Sequence, residues 1–136
     1  MKISTKTRYG MRFMIDLAQH HGEGCVALKD VAERQGISKK YLEQVVAPLT
    51  GAGLLRVTRG YQGGYELARA PENITLADVV SASEDGLELL DCMSGVFSCE
   101  RRDGCLSQRI WGGLEQAIRD YLAGITLAEA ADDELR

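Results

Sequence analysis

Residues 28–49 read LKDVAERQGISKKYLEQVVAPL, and this stretch decides the fold. It predicts a short helix over 28–35, closed by Gly36 as a C-cap, and a second helix that Ser38 caps. The second helix has apolar residues in the i, i+3, i+4, i+7 pattern of one buried face: Leu42, Val45, Val46 and Leu49. Two helices joined by a tight turn that contains glycine are typical of a helix-turn-helix.

The segments on either side extend this unit. Before it, apolar residues repeat along residues 4–20 and predict a first helix, which Gly22 ends. After it, strand-like residues 54–58 and 65–68 flank a glycine-rich turn and predict a β-hairpin. A hairpin that follows the second helix forms a wing, so we predict a winged helix-turn-helix domain over residues 1–70.

The sequence pattern of residues 71–136 predicts a second structural unit, made of a cysteine-containing loop and a long helix. Thr75 and Asp78 have capping-box spacing for a short helix, and residues 84–105 are predicted to be mostly loop. A long amphipathic helix follows, with apolar residues every four positions: Leu106, Ile110, Leu114, Ile118 and Leu122. Gly124 ends it, and Thr126 with Glu129 begins a last short helix. The predicted fold class is therefore mainly α with a small β-hairpin wing.

Composition limits the class of protein. The chain has 136 residues, 45% of them hydrophobic and 26% charged, which indicates a globular protein of about one domain. No apolar run reaches the roughly 18 residues of a membrane span. The basic residues at the start precede no apolar segment, so we expect no signal peptide and a cytoplasmic protein without a membrane partner.

Charge is distributed unevenly. Residues 1–70 contain 11 Lys+Arg against 6 Asp+Glu, a net charge of +5, whereas residues 71–136 contain 5 against 14, a net charge of −9. The two halves add to the overall −4. A basic first half suits a DNA-binding lobe, although chance unevenness of a solvated surface is the alternative.

A helix-turn-helix places the early residues of its second helix near base edges in the major groove. Gln44 can pair with adenine, Glu43 can accept a hydrogen bond from cytosine, and Lys40 can reach guanine or phosphate. The whole predicted set on this helix is Ser38, Lys39, Lys40, Tyr41, Glu43 and Gln44.

The wing and the first helix add further candidate DNA contacts. Gly60 lets the backbone approach DNA closely, so that Arg59 can enter the minor groove. Lys6 and Arg8 are candidates for phosphate contacts, which position a protein without specifying sequence. For each lysine taken singly, a solvated surface charge is the alternative.

Four segments together resemble the IscR/NsrR/CymR-type winged-helix regulators: residues 2–10, 36–44 and 59–65, and Trp111 on the long helix. The resemblance covers about residues 1–128. It implies a homodimer held by the long C-terminal helix, with each half of a palindromic DNA operator read by one protomer. It also implies base contacts by Glu43, Gln44 and Arg59.

Three of the four cysteines are clustered as Cys92-x6-Cys99-x5-Cys105. Three thiolates on a loop are good ligands for an iron–sulfur cluster, whereas zinc sites usually contain a Cys-x2-Cys knuckle. The resemblance implies the same, since its cysteine-bearing members bind such a cluster and use it to set DNA affinity. We predict a [2Fe–2S] or [4Fe–4S] cluster through which the regulator senses redox, iron or nitric oxide status, with zinc, a thiol switch or inert cysteines as alternatives. Cys25 stands alone and is interpreted as a buried apolar residue.

The fourth ligand stays open. Gln108, Ser107, Asp103 or an exogenous small molecule can complete the site.

A cluster-free repressor controlled by a thiol switch or by a partner enzyme is the alternative function, because CymR-like members lack these cysteines. An enzyme is not expected: no nucleophile–base–acid set is apparent, and the glycine-rich segment lies on a hairpin rather than before a helix.

Overall fold

The computed structural model describes residues 2–84 and 104–132. Within them the helices and strands are, in order, α1 (Thr5–Gln19), α2 (Leu28–Gln35), α3 (Lys39–Gly51), β1 (Leu55–Thr58), β2 (Gly64–Leu67), a 3-10 turn (Pro71–Asn73), α4 (Leu76–Ser83), α5 (Leu106–Ala123) and α6 (Leu127–Ala131). This arrangement confirms the predicted fold class: mainly α, with one hairpin and a long helix near the C-terminus.

Local capping sets the bounds of the helices. Gly36 takes the left-handed conformation, with φ of 65°, and closes α2. The Ser38 hydroxyl accepts a hydrogen bond from the Tyr41 amide at 3.1 Å and so begins α3. The predicted capping box of Thr75 with Asp78 is present at the start of α4. Thr126 and Glu129, predicted to begin the last helix, form a second capping box at the start of α6.

The hairpin is attached to the helices by a short third extended segment. β1 and β2 pair antiparallel, with Leu55 opposite Leu67 and Thr58 opposite Gly64. On the other side of β2, the Tyr65 amide donates to the Val26 carbonyl at 2.8 Å, and the Val26 amide donates back at 2.9 Å. The segment between α1 and α2 therefore holds the base of the wing, a contact that the sequence pattern did not predict.

One buried core joins the described elements. α1 contributes Phe13, Met14 and Leu17, and α3 packs its predicted apolar face against them. Val79 of α4 and Leu127 of α6 are also fully buried in this cluster. The core thus includes residues from both sides of residue 70, and the division of the chain at that point stays a prediction.

α5 contrasts with the other helices because none of its residues is buried. Its large apolar side chains are exposed: Leu106, Ile110, Trp111, Leu114 and Tyr121. No helix that the structure describes has both the length and the hydropathy to cross a bilayer.

A buried carboxylate ties α2 to α1. Asp16 is 1% exposed and receives two hydrogen bonds from Arg34, at 2.7 and 3.0 Å, and a third from Gln35 at 3.0 Å. The His20 ring nitrogen Nδ1 lies 2.8 Å from the Asp16 carbonyl oxygen. A forked guanidinium–carboxylate pair of this kind fixes both distance and orientation between two helices.

These contacts lower the pKa of Asp16. Burial raises that pKa, but the hydrogen bonds from Arg34 and Gln35 and the positive charge of Arg34 outweigh burial. Because the pKa is lower in the folded chain, the network stabilises the fold above the ordinary aspartate pKa of about 3.9. That contribution is lost as the pH falls through the lowered folded value.

Replacing Arg34 by Ala is expected to lower the free energy of unfolding at pH 7 by about 1–3 kcal/mol, because a buried carboxylate loses its main donor. The matched control is Arg69→Ala, which breaks a 3.9 Å contact to Asp78 between two well-exposed side chains and is expected to cost under about 0.5 kcal/mol. Urea denaturation at pH 7 and pH 3 measures both. Equal losses for the two variants, or an Arg34→Ala loss that persists undiminished at pH 3, would contradict this role.

Candidate nucleic-acid interface

α3 presents most of the predicted base-reading residues to solvent. Its apolar face is buried in the core, so its other face points outward with Lys39, Lys40, Glu43 and Gln44 exposed. Ser38 is exposed too, but its hydroxyl is engaged as the helix cap. A solvent-facing helix with its opposite face anchored in the core has the geometry that a recognition helix requires.

Tyr41 is placed differently from its neighbours on α3. It is half-buried, and its ring lies edge-on to Tyr9 of α1, with centroids 5.6 Å apart. The Arg12 guanidinium lies 5.4 Å from the centroid of the same Tyr9 ring, and Arg12 Nε donates to Gln35 at 3.1 Å. These contacts fix the start of α3 against α1. A DNA contact by Tyr41 stays a prediction.

The wing carries two exposed arginines. Arg59 lies at the start of the turn between β1 and β2, and the neighbouring Gly60 has φ of 115°, a conformation that favours glycine. Arg56 lies on β1, with its Nη1 3.7 Å from a carboxylate oxygen of Glu66 on the paired strand. Glu66 partly neutralises Arg56, so Arg59 is the stronger candidate for a DNA contact.

The start of α1 places Lys6 and Arg8 on the surface, as the predicted phosphate contacts require. Arg8 Nη2 donates to Thr5 at 3.0 Å. A carboxylate that sequence reasoning missed holds this end of the helix. Glu84 accepts a hydrogen bond from the Ser4 hydroxyl at 3.1 Å and another from Thr7. The partners are about 80 residues apart, so no periodic signal reveals the contact.

The predicted metal ligands are described in part. Cys105 is half-buried at the N-cap of α5, with its Sγ 3.3 Å from the Ser107 hydroxyl. Cys92, Cys99 and Asp103 lie outside the described residues. Within 2–84 and 104–132, no group of three His, Cys, Asp or Glu side chains is placed to hold a metal ion. The start of an 18-residue helix favours negative charge, so the position of Cys105 fits a thiolate ligand.

The remaining candidates around the cluster are also placed. Gln108 is half-buried on the first turn of α5, and Ser107 is exposed beside Cys105. Cys25 is half-buried rather than fully buried as expected, because it lies in the connection between α1 and α2, one residue before Val26 contacts the wing.

An apolar groove of about 660 Å³ lies between α1 and the C-terminal half of α5. Its lining includes Ile3, Tyr9 and Met11 from one side and Ala117, Ile118 and Tyr121 from the other. Arg8 lies along the same groove. No described part of the chain covers this groove or the exposed apolar side chains of α5.

Comparison with known proteins identifies the family. The model of the Rrf2 family, described as an iron-dependent transcriptional regulator, matches residues 3–133. The chain belongs to the Rrf2 family. Transcriptional regulation by DNA binding is therefore its function, and it is not an enzyme.

Relatives of known name agree with this assignment. Protein rrf2 of Nitratidesulfovibrio vulgaris is 41% identical over 133 residues, which cover 98% of this chain and 89% of that protein. The solved structure of IscR from T. potens is 41% identical, with a TM-score of 0.79, over 99% of this chain and 89% of that one. CymR, the global cysteine regulator of B. subtilis, is 36% identical, with a TM-score of 0.82, over 97% of each chain.

The wing of this Rrf2-family chain depends on Gly63. A Cβ at this position would lie 2.1 Å from the Thr58 carbonyl oxygen and 2.9 Å from the Arg59 carbonyl carbon, both backbone atoms. We expect Gly63→Ala to force the turn open and to lower the free energy of unfolding by about 1–3 kcal/mol. Gly51→Ala is the control, because a Cβ there meets nothing within 4 Å. Thermal denaturation of the two variants measures the difference, and equal midpoints would contradict the tight turn.

Proposed function

We propose that this chain binds a palindromic DNA operator as a homodimer and that an iron–sulfur cluster on Cys92, Cys99 and Cys105 sets its DNA affinity. The observation that carries the proposal is the position of Cys105. It stands at the N-cap position of α5, the helix whose exposed apolar face is the best candidate for contact with a second copy. A change at Cys105 would therefore act directly on the helix that fixes the spacing of two DNA-binding lobes.

The DNA contacts follow from the exposed faces. Lys40, Glu43 and Gln44 project from α3 and would enter the major groove, while Arg59 would enter the adjacent minor groove from the wing. Lys6 and Arg8 at the start of α1 would contact phosphates and set the position of the lobe without reading sequence.

Homodimerisation is supported by the surface of α5. An exposed apolar helix face is costly in water, and burial recovers roughly 25 cal/mol for each Å² covered. The groove between α1 and α5 offers the complementary apolar surface on the same molecule. A two-fold dimer built on this face would present two recognition helices, which matches the symmetry of a palindromic operator.

The cysteines would make this dimer responsive. A bound iron–sulfur cluster supplies a redox-active centre whose net charge and integrity depend on oxidant and iron supply. Cys105 would hold it at the start of α5, with the Ser107 hydroxyl 3.3 Å from the sulfur and able to donate to a thiolate. At the other end of the segment, Glu84 binds the start of α1 through Ser4 and Thr7. Glu84 and Cys105, which stand on either side of residues 85–104 in the chain, thus lie against the start of α1 and at the start of α5. The relative placement of these two helices would set half-site geometry.

A cluster-free thiol switch or control by a partner enzyme remains the second candidate. One of the similar solved structures is named a global cysteine regulator rather than an iron-dependent one. In that case the cysteines, including the half-buried Cys25, would respond to oxidant directly.

Base-reading and phosphate-contacting residues are expected to behave differently when replaced. Gln44→Ala and Arg59→Ala should each weaken binding to a selected operator by about 1–3 kcal/mol and relax sequence preference. Lys6→Ala should weaken binding to all duplexes alike and reduce the slope of log affinity against log salt by about one. Fluorescence anisotropy at several salt concentrations measures these changes.

Arg69→Ala is the charge-matched control for these variants, because it removes one positive charge outside the proposed interface. It should leave operator affinity within about twofold of the parent. If it weakens binding as much as Arg59→Ala, overall charge rather than the proposed contacts determines affinity.

The cluster is tested by the visible absorbance of protein purified without oxygen. We expect absorbance from iron–sulfur charge transfer at about 320–420 nm in the parent, and its loss in Cys92→Ala. Cys25→Ala is the matched control and should retain it, because Cys25 lies outside the proposed ligand set. A colourless parent that still binds DNA would contradict the cluster. Loss of the oxidant response in Cys25→Ala would then support the thiol switch.

A further inference from the structure

The tip of the wing carries an aromatic side chain that the contacts described above do not use. Tyr61 is fully exposed, more so than any other large apolar or aromatic side chain among the described residues. It lies in the turn between β1 and β2, beside Arg59 and Gly60. A fully solvated ring gains most from burial on binding, so its position on the DNA-facing hairpin calls for a partner.

The turn holds this ring in a defined place. The Gly63 amide donates to the Gly60 carbonyl at 3.0 Å, which closes residues 60–63 into a tight turn with Tyr61 at its first central position. Below it, Thr58 and Gly64 are the last paired residues of the two strands. The ring is therefore carried at the outermost point of a paired hairpin.

The surroundings indicate what the ring meets. Arg59, two residues before Tyr61, is exposed and positively charged. Gln62, the residue after Tyr61, is exposed and uncharged. A positively charged tip is drawn to the phosphate-lined minor groove, where negative potential is enhanced in narrow A·T-rich segments. A tyrosine there can lay its ring against deoxyribose and donate its hydroxyl to the adenine N3 or thymine O2 acceptors.

We infer that Tyr61 is a DNA-contacting residue that inserts into the minor groove beside Arg59 and favours A·T pairs there. The inference rests on the proposed DNA binding by the wing. In this role the Tyr61 ring provides contact area, and its hydroxyl meets only hydrogen-bond acceptors on A·T pairs. The guanine amino group of a G·C pair obstructs the minor groove, so a G·C pair is disfavoured.

The test uses a 30-bp duplex selected by the parent protein from a randomised library. Tyr61→Ala should weaken binding about tenfold, while Tyr61→Phe, which keeps the ring, should lose about twofold. Replacing the A·T pairs under the wing by G·C should weaken the parent more than it weakens Tyr61→Ala, because Arg59 keeps its own preference for A·T segments in both proteins. Replacing them by inosine·C should leave the parent unchanged, because inosine lacks the minor-groove amino group.

The outcomes separate this inference from the function on which it rests. Tyr61→Ala within twofold of the parent, while Arg59→Ala and Lys40→Ala still weaken binding, overturns the role of Tyr61 alone. A loss for Tyr61→Phe equal to that for Tyr61→Ala overturns the ring contact. Equal weakening of the parent by G·C and by inosine·C overturns the preference for A·T pairs in the minor groove. If the parent selects no duplex, the proposed DNA binding by the wing and the inference fail together.

Discussion

Burial of one face of α1 is the constraint on which the rest of the structure depends. Phe13, Met14 and Leu17 are 0–2% exposed and lie at the centre of the core. The second and third helices, the wing and the two short C-terminal helices α4 and α6 all pack against this helix or against residues that contact it. The position of α1 therefore sets the positions of the residues proposed to contact DNA, and a shift of α1 would move them together.

Polar and aromatic contacts along α1 fix how the neighbouring elements are oriented against it. Asp16 holds α2 through Arg34 and Gln35, and Tyr9 sets the start of α3 through Tyr41. At the beginning of α1, Thr7 and Ser4 bind Glu84, the last described residue before the cysteine segment. Residues 85–104, which contain Cys92 and Cys99, thus follow a residue that contacts α1 and precede Cys105 at the start of α5. This connection is the physical basis for expecting the cysteines to influence DNA binding.

Much of the fold could be predicted because its signals are local. Ser38, Gly36 and the capping boxes of α4 and α6 act within three or four residues, and the apolar face of α3 repeats with the helical period. The same helical period also predicted which residues of α3 are exposed. Contacts between distant segments left no such signal. From the sequence, Asp16 is one more polar residue of an amphipathic helix and Tyr41 is a solvent-facing residue. In the structure Asp16 is buried against Arg34 and Gln35, and Tyr41 is half-buried against Tyr9.

We propose above that Cys92, Cys99 and Cys105 control DNA affinity. This control is measured most directly as operator affinity without oxygen, before and after a controlled dose of oxidant. The measurement compares the parent with a variant in which Cys92, Cys99 and Cys105 are all replaced by Ala. We expect the parent's dissociation constant to change by about tenfold or more, within the usual range of allosteric coupling, and the triple variant's dissociation constant not to change. A triple variant that responds to oxidant as the parent does would contradict it.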